Sequence, residues 1–113
     1  MSASRGGALR QAAPLFAALG DPTRLTLVRR LAVEGSQSIT RLTEGSGMTR
    51  QAVTRHLHSL EHVGLVRDTR QGREHVYSLE LKRLSVAREY LDQVSAQWDA
   101  AAARLKAFVE APE

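Results

Sequence analysis

The chain has 113 residues, 42% of them hydrophobic and 25% charged, with a formal net charge of +4. That suits one globular domain with a modest core, and glycine and proline are too few for a disordered or fibrous chain. The chain lacks cysteine, which excludes disulfides and thiolate metal sites, and it has no apolar run long enough to span a bilayer.

The opening stretch, MSASRGGALR, has no apolar core of the secretory-signal kind, so a cytoplasmic protein is expected. Residues 1–8 are expected to form a disordered tail, and residues 9–110 one folded domain. The first helix is predicted from Ala8 to Leu19, with Leu9, Ala12, Ala13, Phe16 and Leu19 at helical spacing. Pro14 falls inside this pattern, so the helix either starts there or kinks there. Gly20-Asp21-Pro22 punctuates the chain. Asp21 suits an N-cap and Pro22 a first helical turn. The second helix follows from Pro22 to about Glu34, with Leu25, Val28, Leu31 and Ala32 as its apolar stripe.

Ser38 can cap a short third helix carrying Ile39 and Leu42 and ending by Gly45. Gly45-Ser46-Gly47 makes the turn, and Thr49 caps a fourth helix that stops at Gly64. Two short helices around a tight glycine-containing turn are the helix-turn-helix signature. On a helical wheel, Val53, Leu57, Leu60 and Val63 share one arc of the fourth helix, with Ala52 and His56 beside it. Gln51, Arg55, His58 and His62 fall opposite, flanked by Thr54. The apolar arc is expected to pack on the second and third helices. The polar arc faces either a partner or plain solvent. His56, beside the apolar arc, reads as a packed, hydrogen-bonded histidine.

A hairpin comes next, with strands Leu65 to Arg70 and Arg73 to Leu79 and a turn at Gln71-Gly72. Arg67, Arg70 and Arg73 lie in or beside it. His75, Tyr77 and Leu79 alternate toward one face, and Tyr77 and Leu79 are expected in the core. A helix with a polar face followed by an arginine-tipped hairpin suits DNA: the helix enters a major groove and the hairpin lies along backbone or minor groove. Charge placement agrees. Residues 1–81 hold 11 Lys and Arg against 7 Asp and Glu, while residues 82–113 hold 5 against 5. The excess sits with the helix and hairpin, which favours a polyanionic partner.

The last helix is predicted from Lys82 to about Glu110, roughly 40 Å long. Leu84, Ala87, Leu91, Val94, Trp98, Ala101, Leu105 and Phe108 follow an unbroken heptad rhythm. Tyr90, Ala102 and Val109 widen the stripe. So small a domain has little core for so long an apolar face, and a second copy of the chain is the expected cover. Leu84, Leu91, Val94, Trp98, Ala101, Leu105 and Phe108 are the candidate dimer contacts, with Trp98 an anchor rather than a ligand-stacking residue.

The order of these pieces, with D-P-T-R at Asp21–Arg24, H-L-x-x-L-x-x-x-G-L-V from His56 and G-R-x-x-x-Y-x-L from Gly72, resembles the ArsR family of winged-helix bacterial repressors. The resemblance spans about residues 9–110. It implies a mainly α fold with a small β-hairpin, a winged helix-turn-helix ending in a long dimerisation helix. It further implies a homodimer that binds a pseudo-palindromic operator in double-stranded DNA. Arg50, Gln51, Thr54, Arg55 and His58 match its DNA-reading positions, and Arg73 matches its wing arginine. Gln51 can pair bidentately with adenine, and Arg50 or Arg55 with guanine. Arg70 and Arg73 can reach phosphates or a narrow minor groove.

The metal sites of that family find no match here. Ser38 and Thr40 stand where one site has cysteines, and the last helix carries Glu89, Asp92 and Asp99 but no histidine. No metal or cofactor is expected, and His58 with His62 would be two ligands only. The effector stays open between an organic ligand at the dimer interface, a hard cation, and none. Two other readings compete. Catalysis lacks a cysteine nucleophile, a G-x-S-x-G elbow, a P-loop and a dinucleotide fingerprint. A winged-helix protein–protein module would keep the core without the base-reading side chains, and the arginine tip argues against it.

Overall fold

The computed structural model describes residues 2–111. Five helices and three strands follow in the order α1 (Ser2–Leu19), α2 (Pro22–Glu34), β1 (Gln37–Ser38), α3 (Ile39–Thr43), α4 (Arg50–His62), β2 (Val66–Gln71), β3 (Glu74–Leu79) and α5 (Leu81–Glu110). No described helix is long and apolar enough to cross a membrane.

Local chemistry sets most of the boundaries. The Arg24 backbone N–H donates to Asp21 Oδ2 at 2.9 Å, with Pro22 in the first turn behind it. Ser38 Oγ accepts from the Arg41 N–H and Thr49 Oγ1 from the Ala52 N–H, both at 3.1 Å. Each cap satisfies a first-turn donor that has no partner within its helix. At the far end of α4, Gly64 takes φ +82°, the Leu65 N–H reaches Leu60 O at 3.0 Å and the Gly64 N–H reaches Glu61 O at 2.9 Å. That is a Schellman stop, and Leu60 and Leu65 are both fully buried around it.

Two boundaries differ from the sequence expectation. α1 begins at Ser2, so helix occupies the described residues 2–8 of the stretch read as a tail, and it passes through Pro14 without ending. Extending a formed helix costs far less than nucleating one, and Pro removes a single internal bond. The hairpin turns one residue later than expected. Gln71 pairs with Glu74, which leaves Gly72-Arg73 as the loop. Gly72 has φ +63° and Arg73 does not have positive φ, the pattern of a II′ turn with glycine first.

Strand β1 was not foreseen. It pairs antiparallel with β3 through Gln37↔Tyr77 and Ser38↔Val76, giving a three-stranded sheet in the order β1-β3-β2. The side chains of Ser36 and Ser78 meet at 2.7 Å beside this pairing.

The core lies where the helices meet the sheet. Leu15 and Ala18 of α1, Leu27, Val28 and Leu31 of α2, Ile39 and Leu42 of α3, and Val53, Leu57 and Leu60 of α4 close over Val66, Tyr77 and Ala87. The expected stripes of the first two helices are borne out in part: Ala12, Val28 and Leu31 are buried and Phe16 and Leu19 pack against the core, whereas Leu9, Ala13, Leu25 and Ala32 are exposed. Leu15 and Leu27 point inward instead. Both helices have more than one neighbour. Phe16, for example, turns to α5 and meets Tyr90 edge-on, with ring centroids 5.9 Å apart.

The molecule measures 72 × 32 × 20 Å, with a radius of gyration of 19.1 Å. A compact chain of this length would have a radius near 13 Å. The excess comes from α5, whose 30 residues extend about 45 Å. Leu84 and Ala87 pack on the chain's own core and Tyr90 on Phe16 of α1, and from Leu91 onward the helix leaves it.

Candidate nucleic-acid interface

Helix α4 is held by one face. Val53, Leu57 and Leu60 are completely buried, Val63 is half-buried, and the other side carries exposed Arg50, Gln51, Arg55, His58 and His62. Thr54 is half-buried, at the edge of the exposed arc rather than within it. Arg50 Nη1 donates to Thr40 Oγ1 at 3.1 Å, so the first turn of α4 is linked to α3. Arg55, His58 and His62 take part in none of the ion pairs among the described residues. His58 and His62 do not simply face outward. With Arg55 they border a cleft against α1.

His56 behaves as a packed histidine. Its Nδ1 lies 3.4 Å from Arg24 Nη1 and 3.9 Å from Asp21 Oδ2. Arg24 also donates from Nε to the carbonyl of Ala18. One arginine therefore ties the end of α1, the start of α2 and the middle of α4. The Asp21 carboxyl is held below its ordinary value, first by the Arg24 backbone N–H, then, against desolvation, by the Arg24 guanidinium and His56. The D-P-T-R motif signalled Asp21 as a cap. Arg24 as a brace for α4 was missed, because its partners are remote in sequence.

The wing is stiffened by Asp68. Its carboxylate meets His75 Nδ1 at 2.9 Å, and Asp68 lies directly across from Tyr77 in the ladder. Tyr77 is 1% exposed, and burial pushes its phenol up to about 12, with the Asp68 and Glu61 carboxylates adding to the effect. Arg67, although exposed, pairs with Glu80 at the base of the hairpin, Nε to Oε1 at 3.1 Å. Arg70 and Arg73 are exposed and take part in none of the described ion pairs. The three arginines of the hairpin thus divide into one anchored at its base and two open at its tip.

Along α5, Leu91, Val94, Trp98, Leu105 and Phe108 are exposed, Trp98 at 73% and Phe108 at 81%. Ala101 is half-buried. Leu84 packs on the chain's own core, so the open part of the stripe begins at Leu91. No group of three or more His, Cys, Asp or Glu placed to hold a metal ion occurs among the described residues.

A family model described as a helix-turn-helix domain matches residues 19–69, from the end of α1 into β2. The HTH-type transcriptional regulator NmtR of Mycobacterium tuberculosis is 40% identical over 72 residues, which is 64% of this chain and 59% of NmtR. Among solved structures, the homodimeric winged helix-turn-helix DNA-binding domain of Mb0332 from Mycobacterium bovis superposes with a TM-score of 0.65 at 26% identity, covering 82% of this chain and 84% of that one. An ArsR-like transcriptional regulator from Rhodococcus sp. RHA1 superposes with a TM-score of 0.78 at 32% identity, covering 94% of this chain and 99% of that one. With helix-turn-helix, wing and long last helix all in place, the chain belongs to the ArsR family of winged helix-turn-helix transcriptional regulators.

Proposed function

We propose that this protein is a cytoplasmic repressor that binds a pseudo-palindromic operator as a homodimer and reads it with α4. The observation that carries the reading is the two-sidedness of α4. Val53, Leu57 and Leu60 fix the helix to the core, and Arg50, Gln51, Arg55 and His58 stand exposed on its other side. Such a helix can lie in a major groove, where amide and guanidinium side chains pair bidentately with purine edges. Arg70 and Arg73 at the wing tip supply cations for phosphate or minor groove. Thr54, at the edge of the arc, can meet a thymine methyl or a phosphate.

Dimerisation follows from α5. Leu91, Val94, Trp98, Leu105 and Phe108 form an apolar face with no cover in a single chain. A second copy, with Ala101 at the close approach and Leu84 at the margin, would bury it. The homodimeric state of the Mb0332 domain supports this arrangement. Two-fold pairing would set the two α4 helices about one DNA turn apart, roughly 34–36 Å, and so fit successive major grooves. Occupancy of such a site excludes polymerase by bulk alone, which gives repression. Neither a catalytic step nor a cofactor enters this reading.

The test is binding to the DNA upstream of the protein's own gene over a salt series. A specific dimer loses log affinity against log salt with a slope on the order of −0.9 per phosphate neutralised. A flat salt response, with no preference over unrelated DNA, would favour a winged-helix module that binds protein.

A further inference from the structure

A cleft of about 570 Å³ opens between α1 and α4, on the flank of the helix proposed to read DNA. Its floor is apolar, built from Ala17, Ala18 and Val63, and its rim carries Arg55, His58 and His62; Pro14, Ser59 and Arg24, the last already bonded to the Ala18 carbonyl, complete the lining. No carboxylate lines it. None of the three rim side chains has an ion-pair partner among the described residues. It is shallow and open to solvent along one side, so it suits a flat ligand lying on the surface, and an apolar floor with a few convergent polar groups is the usual make-up of small-molecule sites.

The geometry points to this cleft as a binding site for an organic anion with a flat apolar body, such as an aromatic carboxylate. The ring would lie on Ala17, Ala18 and Val63. The carboxylate would take charge-assisted hydrogen bonds from Arg55 and N–H bonds from the imidazoles of His58 and His62. An uncharged occupant would leave the Arg55 guanidinium to water and gain no charge-assisted bond from it. A cation would find no ligand of opposite charge.

The consequence is a direct mode of release. Arg55 and His58 belong both to the cleft and to the set proposed for DNA, so an anion held there takes them from the operator by simple competition. This step rests on the DNA-binding reading above, whereas binding of the anion does not. The mode differs from an effector seated between subunits, because α1 and α4 of one chain form the whole site.

The probe is 2-naphthoate, titrated into the full-length protein without DNA and followed through the imidazole ring resonances. The chain has four histidines. The expected result is saturable movement at His58 and His62 with His75 in the wing unmoved. The neutral analogue 2-naphthalenemethanol should bind at least about tenfold more weakly, the loss of one charge-assisted contact. Ala17→Trp fills the floor from α1, and it should keep operator affinity while abolishing the naphthoate response. His62→Ala, a truncation at the rim, serves the same purpose if the tryptophan unfolds the chain. In the presence of naphthoate, the operator Kd of the dimer should rise by the square of the one-site competition factor, because each subunit carries its own cleft.

Failure of His58 and His62 to move, or equal binding of the neutral analogue, overturns the site. Saturable binding with unchanged operator affinity overturns the competition. Naphthoate binding by a protein that binds no DNA at any salt upholds the cleft and sinks the DNA-binding reading instead.

Discussion

Arg50 Nη1 donates a 3.1 Å hydrogen bond to Thr40 Oγ1, joining the first turn of α4 to α3 across the helix-turn-helix. The position is electrostatically awkward, since a cation stands at the positive end of the helix dipole. A nearby phosphate would turn that cost into attraction, and Thr40 holds the guanidinium close to where a backbone would pass. Arg50→Ala is therefore expected to weaken binding evenly across DNA sequences and to reduce the salt slope by about one phosphate. Thr40→Val should leave the melting temperature nearly unchanged, because an exposed contact contributes little to stability. Anisotropy titrations at several salt concentrations decide the point. A shifted base preference with an unchanged slope would make Arg50 a base reader.

Arg55 lies in the middle of the exposed arc, unpaired among the described residues. In a groove it can reach guanine O6 and N7 together. Arg55→Ala should relax preference at one base pair in each half-site by about 1–3 kcal/mol. Selection of binding sequences from a random pool would reveal the relaxed position. An unchanged selected motif and unchanged affinity would remove Arg55 from the reading set.

The exposed placement of Arg50 and Arg55 on α4 was legible in the sequence because the signals that set it are local. Caps at Asp21, Ser38 and Thr49 and the stop at Gly64 act within a few residues, and the apolar arc of α4 has the plain 3.6 period of a helix buried on one side. What stayed hidden depends on distant partners. Strand β1 is two residues long and exists through its pairing with Tyr77 and Val76. The inward faces of α1 and α2 were placed only in part, with Ala12, Val28 and Leu31 buried as expected, because each helix has apolar residues on more than one side and only packing chooses Leu15 and Leu27 over Leu9 and Leu25. The wing register slipped by one residue because Gln71-Gly72 and Gly72-Arg73 both offer a glycine to a tight turn. Neither the Arg24 brace nor the cleft beside His58 could be read from periodicity, since both arise where α1 meets α4.

Trp98 tests the proposed dimer. Its side chain is 73% exposed at the middle of the α5 stripe, well beyond the part of the helix that packs on the core at Leu84 and Ala87. A charge there should be tolerated by the monomer and refused by a dimer, because burying an unpaired carboxylate costs several kcal/mol. Trp98→Asp should therefore sediment as a folded monomer and lose operator binding at the same time. Far-ultraviolet circular dichroism and the His75 resonance would show that helices and wing persist. A Trp98→Asp protein that stays dimeric would take the stripe out of the interface.

Tyr77 sets a limit at high pH. Its ring fills the centre of the core beneath the sheet, and its ionisation is pushed up to about 12, chiefly by burial, with Asp68 and Glu61 adding negative charge nearby. The ordinary value in an unfolded chain is about 10. A group whose value is raised by folding stabilises the native state fully below the unfolded value. It loses that contribution as pH climbs toward the folded one. Between pH ~10 and ~12 the unfolded chain releases the phenolic proton and the folded chain holds it, so stability must fall across this window. Urea midpoints measured from pH ~8 upward should decline for the wild type more steeply than for Tyr77→Phe, which has no proton to lose. The substitution removes only a hydroxyl and keeps the ring volume, so both proteins can be compared as folded species. Every other group is common to the two proteins and cancels in the difference. Parallel midpoint curves for the two proteins through this range would mean that Tyr77 ionises in the folded chain as easily as in the unfolded one, and the buried, carboxylate-flanked phenol would no longer account for alkaline instability.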